Sequence, residues 1–380
     1  MGEDALDGPD AAPADTPGRN VRALAPLVGA PDAAAVEQAR RRLDALAKPT
    51  GALGRLEDLA AWLCGVQGAC PPRPLDRVTA VVLAGDHGIA RHGVSAYPVE
   101  VTAAMVGLVA SGRAAVNVLA RQHGVQVRVV DVAVDAEEDD VPAAARGSRV
   151  RRASGLLDRE DALTRAQAER AFDVGVALAD EEADAGTDLL VTGDLGIGVT
   201  TVAAALTGAV LRLGPVEVVG RGSGIDDEAW MRKTAALRDG LRRARRRTTD
   251  PLDLLCAVGS ADTAALTGLL VQAAVRRTPV LLDGVVSGAC ALLARRAAPR
   301  AAAWWVAGSR SPEPAHRRAL ETLGMEPILD LGMRLGEGTG ALTALPVLRS
   351  AQALLAETAT LADLGLAPAG PPVAAAERAR

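Results

Sequence analysis

A chain of 380 residues with 49% hydrophobic and 23% charged side chains is long enough to enclose one large or two modest cores. Its net charge of −5 and its 2% of aromatic residues, including a single Tyr97 and a single Phe172, argue against nucleic-acid binding, which needs a basic surface for phosphates or stacking platforms for bases. The four cysteines, Cys64, Cys70, Cys256 and Cys290, show no C-x-x-C spacing, a pattern that fits reduced cytoplasmic thiols better than disulfides or a zinc site.

Residues 1–20, rich in Pro, Asp, Gly and Ala, read as a disordered tail, as do residues 367–380. No charged start followed by an apolar stretch marks an export signal, and no apolar run is expected to reach the roughly 18 residues that cross a bilayer. Helical periodicity runs from Asp32 to Ala47 and from Leu53 to Val66. Short β-branched runs then recur at Val78 ("VTAVVLAGD"), Val125 ("VQVRVVDVAV"), Asp188 ("DLLVTGD"), Pro279 ("PVLLDG") and Ala302 ("AAWWVAG"), with Ala-rich helical patterns between most of them. This alternation predicts an α/β fold, Rossmann-like, with a mainly parallel sheet over residues 77–336 and helices on both faces. Residues 21–76 and 337–366 stand outside it and are expected to form a smaller helical domain.

In such a sheet the ligand lies beyond the carboxyl ends of the strands. The segments expected there are "GDHG" (85–88), "TGDLGIGVTT" (192–201), "GRGSGIDD" (220–227), "LDGVVSG" (282–288) and "GEGTGA" (336–341). Five Gly-rich, partly acidic loops at one edge predict a small-molecule site. The turn from Gly193 to Thr201, running into a helix, offers free N–H groups to a phosphate ester, and the Thr200 and Thr201 hydroxyls add donors. It is neither a Walker A loop nor a G-x-G-x-x-G fingerprint. Only Lys48 and Lys233 among the 42 basic residues are lysines, and either suits a phosphate as a point charge. The spacing of Asp86, His87 and His92 could suggest metal ligands, but no further ligand with convincing spacing accompanies them. The "RRARRR" run at Arg242 to Arg247 reads as a solvated helix face or a partner patch, and "EEDD" at Glu137 to Asp140 as an exposed loop. Glu337, alone between glycines, is either a cap for the last helix or a working acid or base.

The segments "KPTGALGRLEDLAAWL", "AGDHGIARHGVSAYP", "TGDLGIGVTT", "VGRGSGIDD", "LLDG" and "MEPILDLGMRLGEGTGALTALP" resemble, in order, the CobT family of nicotinate-nucleotide:dimethylbenzimidazole phosphoribosyltransferases over residues 32–360. The resemblance implies a homodimer that moves the phosphoribosyl group of nicotinate mononucleotide onto 5,6-dimethylbenzimidazole, without a metal or redox cofactor. Glu337 matches the family's catalytic base. Around the substrates the resemblance places Asp194, Gly196, Gly198, Thr200, Thr201, Gly222, Lys233, Arg334, Leu335, His87, Met105 and Ser309, with Lys233 on phosphate. Departures are Asp194, Val199 and Val202 where the family reads Glu, Asn and Pro, Ala104 for a Gln thought to lie near the base pocket, and Ser309 for a His. They are compatible with another acceptor base or with a paralogue of reduced activity. A non-catalytic nucleotide-binding protein and an N-glycosidic hydrolase are the other readings.

Overall fold

The computed structural model describes residues 21–366, apart from Arg246, Thr248 and Thr249; both expected tails lie outside the described residues. Helices α1 (Val21–Leu24), α2 (Ala33–Ala45) and α3 (Arg55–Gln67) precede strand β1 (Val78–Gly85). Helices α4 (Val101–Ala110) and α5 (Ala115–His123) lead to β2 (Gln126–Ala133), and the long α6 (Arg165–Asp184) to β3 (Leu189–Leu195). Helices α7 (Val199–Leu211), α8 (Pro215–Val218), α9 (Asp227–Ala244), α10 (Pro251–Val258) and α11 (Ala261–Val275) come before β4 (Val280–Leu282). Helix α12 (Val285–Ala297) joins β4 to β5 (Trp305–Ala307), and α13 (Pro314–Leu323) and α14 (Thr339–Glu357) follow.

The five strands form one parallel sheet in the order β2-β1-β3-β4-β5, so each expected run is a strand. Their ends differ most at β4 and β5, where only three residues pair and Pro299–Trp304 winds as a 3-10 turn. All eight residues of β1 are buried, as a sheet covered on both faces requires. Val81 and Leu83 belong to one apolar cluster and Ala80, Val82 and Ala84 to the other, following the two-residue alternation of a strand. The first cluster is centred on α11. There Gly175 of α6 and Gly268 of α11 let the helices touch backbone to backbone: a Cβ on Gly175 would lie 1.7 Å from the Ala265 carbonyl oxygen.

On the opposite face α2, α3 and α14 pack together, and their buried side chains share the second cluster with β1 and β3. One expectation needs correction. The stretch Val101–His123 has mean hydropathy 1.5 over a membrane-spanning length. The backbone breaks it at Ser111–Arg113 into α4 and α5, ten and nine residues long, each too short to span.

Candidate active site

The chain leaves β1 toward β2 on one side and reaches β3, β4 and β5 on the other, so a crevice opens at the ends of β1 and β3. A cavity of ≈ 690 Å³ fills it, within the range of small-molecule sites. Ten of the residues expected at the site line it: Met105, Asp194, Gly196, Gly198, Thr200, Gly222, Ser309, Arg334, Leu335 and Glu337.

At one end β3 turns through Gly196–Ile197–Gly198 into α7, whose N-cap is Gly198 at φ 95°. A Cβ on Gly196 would lie 1.8 Å from the Gly85 carbonyl oxygen, so only glycine lets this turn rest on β1. Next to it Lys233, from α9, is fully buried and donates to Thr200 Oγ1 at 2.9 Å. Burial pulls its pKa down, against an opposing effect of Glu313. Glu313 accepts the Gly222 N–H at 2.8 Å through Oε1, while the Arg334 guanidinium donates to the Gly222 carbonyl at 2.7 Å. A desolvated ammonium beside the positive end of a helix is a seat for an anion. Lys233 and Thr201 do not line the cavity: a Cβ on Gly222 would lie 3.2 Å from Lys233 Nζ, and the Thr201 hydroxyl is buried without a hydrogen-bond partner.

Also on the cavity wall stands Glu337, 2% exposed, at φ 61°, between Gly336 at φ 83° and Gly338 at φ 85°. Its N–H donates to the Asp194 carbonyl at 3.1 Å. Its Oε2 is buried with no hydrogen-bond partner, and burial raises its pKa against a smaller pull from the Val116 N–H in the first turn of α5. The capping reading is therefore corrected. Helix α14 is capped instead by Asp283, from the end of β4, whose Oδ1 accepts the Ala341 N–H at 2.8 Å and whose Oδ2 accepts the Gly338 N–H at 3.2 Å. Asp283 and Glu313 were not singled out from the sequence; an aspartate directly after a buried strand in "LLDG" was the available signal for the first.

The floor of the crevice is crowded with carboxyls. Burial, then Asp283, Asp262 and Glu337 in turn, hold the Asp194 carboxyl well above its ordinary range, and burial pushes Asp283 up to about 7. Among them His87 is 1% exposed, bonded to Ile197 and Asp262, and absent from the cavity wall; it supports the site from below and does not face a substrate. Ala104 is exposed and also absent from the wall, so that departure does not alter the pocket as expected, whereas Val199 does line it. Ser309 sits against the start of α14, where a Cβ on Gly340 would lie 2.1 Å from its hydroxyl. Outside the site Arg243 and Arg247 bind Asp161, so the arginine run is partly tied down, and Glu137 to Asp140 is exposed as expected.

A family profile described as "Phosphoribosyltransferase" matches residues 28–366. The nicotinate-nucleotide–dimethylbenzimidazole phosphoribosyltransferase of Mycobacterium avium (strain 104) is 56% identical over 339 residues, 89% of this chain and 97% of that protein. Its counterpart in Mycobacterium marinum is 55% identical over 342 residues, 90% of this chain and 95% of that protein. The crystal structure of CobT from Thermus thermophilus superposes with a TM-score of 0.83 at 41% identity, covering 88% of this chain and 100% of that one. With an anion seat and an unpaired carboxylate in one crevice, the chain belongs to the nicotinate-nucleotide–dimethylbenzimidazole phosphoribosyltransferase family.

Proposed function

We infer that the chain transfers the phosphoribosyl group of nicotinate mononucleotide to 5,6-dimethylbenzimidazole, giving α-ribazole 5′-phosphate and nicotinate in the assembly of the cobalamin lower ligand. The carrying observation is Glu337 Oε2: a buried carboxylate oxygen without a partner, on the cavity wall, with its pKa raised toward that of a useful base. As one benzimidazole nitrogen forms its bond to C1 of the ribose, the bond from C1 to the nicotinate ring nitrogen breaks. The pyridinium takes that electron pair and leaves as a neutral ring, so it needs no acid. The acceptor becomes cationic and gives its other N–H proton to Glu337. Thr200 and the N-terminal end of α7, with the Lys233 ammonium directly behind Thr200, are suited to the 5′-phosphate. Holding both reactants in one crevice accounts for most of the acceleration, with effective molarities of about 10⁵ M or more.

Our reading extends to a homodimer in the cytoplasm that engages neither nucleic acid nor membrane. The net charge of −5 and four free cysteines support it, as does Val101–His123, apolar yet only 33% buried within one subunit. Nicotinate release from nicotinate mononucleotide, followed with and without 5,6-dimethylbenzimidazole, tests the activity. Acceptor-dependent release is expected, and Lys233→Ala is expected to weaken use of the mononucleotide while sparing nicotinate riboside. Release without acceptor means hydrolysis, no release means a binding protein, and preference for another base across an acceptor series means altered specificity.

A further inference from the structure

We propose that His87 and Asp262 form a buried ion pair that fixes the anion-binding turn Gly196–Ile197–Gly198, His87 being a positioning residue for the substrate phosphate; this rests on the phosphoribosyl reading above. The Ile197 residue is held at both its polar ends. Its N–H donates to Thr102 Oγ1 at 3.1 Å, and its carbonyl accepts from His87 Nδ1 at 3.0 Å. Thr102 donates its own proton to Asp86 Oδ1 at 2.5 Å, which leaves its oxygen to accept. The turn also lies against the histidine: a Cβ on Gly198 would stand 3.2 Å from His87 Cβ, and one on Gly196 3.0 Å from His87 Cε1.

The charge of the ring follows from its neighbours. A carbonyl has no proton to give, so Nδ1 donates. Nε2 faces both carboxylate oxygens of Asp262, at 3.2 and 3.3 Å. Both of those oxygens are acceptors, so Nε2 donates as well. Both nitrogens therefore carry protons and the ring is an imidazolium. The other titratable groups that act on it are Asp86 at the end of β1 and Asp194 at the end of β3. A cation is thereby placed directly under the turn from which α7 starts, and the turn cannot rotate without breaking a charge-assisted hydrogen bond.

Two measurements test this. Imidazole ¹⁵N shifts of the ligand-free wild type report the ring without reference to any substrate. Calorimetry then compares nicotinate mononucleotide with nicotinate riboside for wild type, Asp262→Asn and His87→Gln, with melting temperatures beside them. Both ring nitrogens are expected to be protonated in the wild type at pH 7.5, and Asp262→Asn to lose the Nε2 proton there. The mononucleotide is expected to bind at least about tenfold more weakly to both variants, the loss of one charge-assisted bond, with the riboside within about twofold of wild type. A neutral wild-type ring, or equal losses for both ligands, overturns the strut. Wild type that binds neither ligand removes the phosphoribosyl reading itself, whereas wild-type affinities in both variants remove the strut alone.

Discussion

Glu337 is an L-residue in a conformation that costs about 1 to 2 kcal/mol for any side chain with a Cβ, and it also holds a buried oxygen without a partner. Both terms oppose folding, and both are explained by a base kept ready for an incoming proton. Glu337→Gln is expected to lower single-turnover rate by about 10² or more with substrate affinities nearly intact. The wild-type rate rises with pH through the elevated pKa of Glu337, as the carboxylate forms, and the Gln variant loses that limb. Glu337→Gly is expected to abolish turnover yet stabilise the fold by about 1 kcal/mol; a lowered melting temperature would return a structural role to the side chain. At this scale the sequence announced residues whose chemistry is conspicuous in its setting, a Glu among glycines and a rare Lys. It was silent on direction. Nothing in "GDHG" tells that His87 turns down toward Asp262, since its partner lies 175 positions away on another helix.

Helix α14 begins one residue after Gly338, the neighbour of the base, and its first turn is tied to the sheet by Asp283 through Gly338 and Ala341. The Asp283 N–H in turn donates to Thr192 Oγ1 at 3.2 Å, so β3, β4 and α14 share one polar joint. Asp283→Asn sets an NH2 group against one of those two N–H donors. It is expected to cost about 1 to 3 kcal/mol of stability and to slow turnover more than it weakens binding, because the base loses its footing. Calorimetric melting beside single-turnover rates checks this; unchanged values of both would mean that α14 needs no such tie. The elements themselves were legible because strands buried on both faces must read as continuous β-branched runs. Their ends were not. The 3-10 turn Pro299–Trp304 ends in an apolar run, Ala301–Trp304, that continues into β5, and a pairing of three residues leaves too short a signal to locate. Hydropathy likewise cannot see the break between α4 and α5, which is made by Ser111 and Gly112 in a tight turn.

The whole fold concentrates titratable groups where water is scarce. His87 is raised above 6.5 and Asp194 well above 3.8, and Asp283 stands at about 7. Each binds its proton more tightly folded than unfolded, so stability falls as pH rises through the folded value. His316, which accepts the Ser311 N–H at 3.0 Å and is lowered to about 4, acts in the opposite sense, but only between about 4 and 6.5. Above 6.5 it is neutral in both states. Lys233, lowered from 10.5, also opposes the fall, on the alkaline side. The melting temperature of the ligand-free protein is therefore expected to drop as pH rises above 6.5, and Asp194→Asn to flatten the drop. A level or rising curve would show that these protons are not held. The α/β class and the crevice were readable from the alternation of runs and loops. Which apolar faces of α2, α3 and α14 meet the sheet was not, because these helices stand outside that alternation and their packing joins segments far apart in the chain.

The left-handed backbone at position 337 also bears on descent. A lineage released from the reaction would gain stability by drifting to glycine there, one nucleotide change from either glutamate codon. Mutation and folding then push the same way, so the site is a sensitive gauge of whether selection still acts on the chemistry. A copy still translated but no longer needed for the reaction would be expected to record the loss at this codon before the core of the sheet began to change.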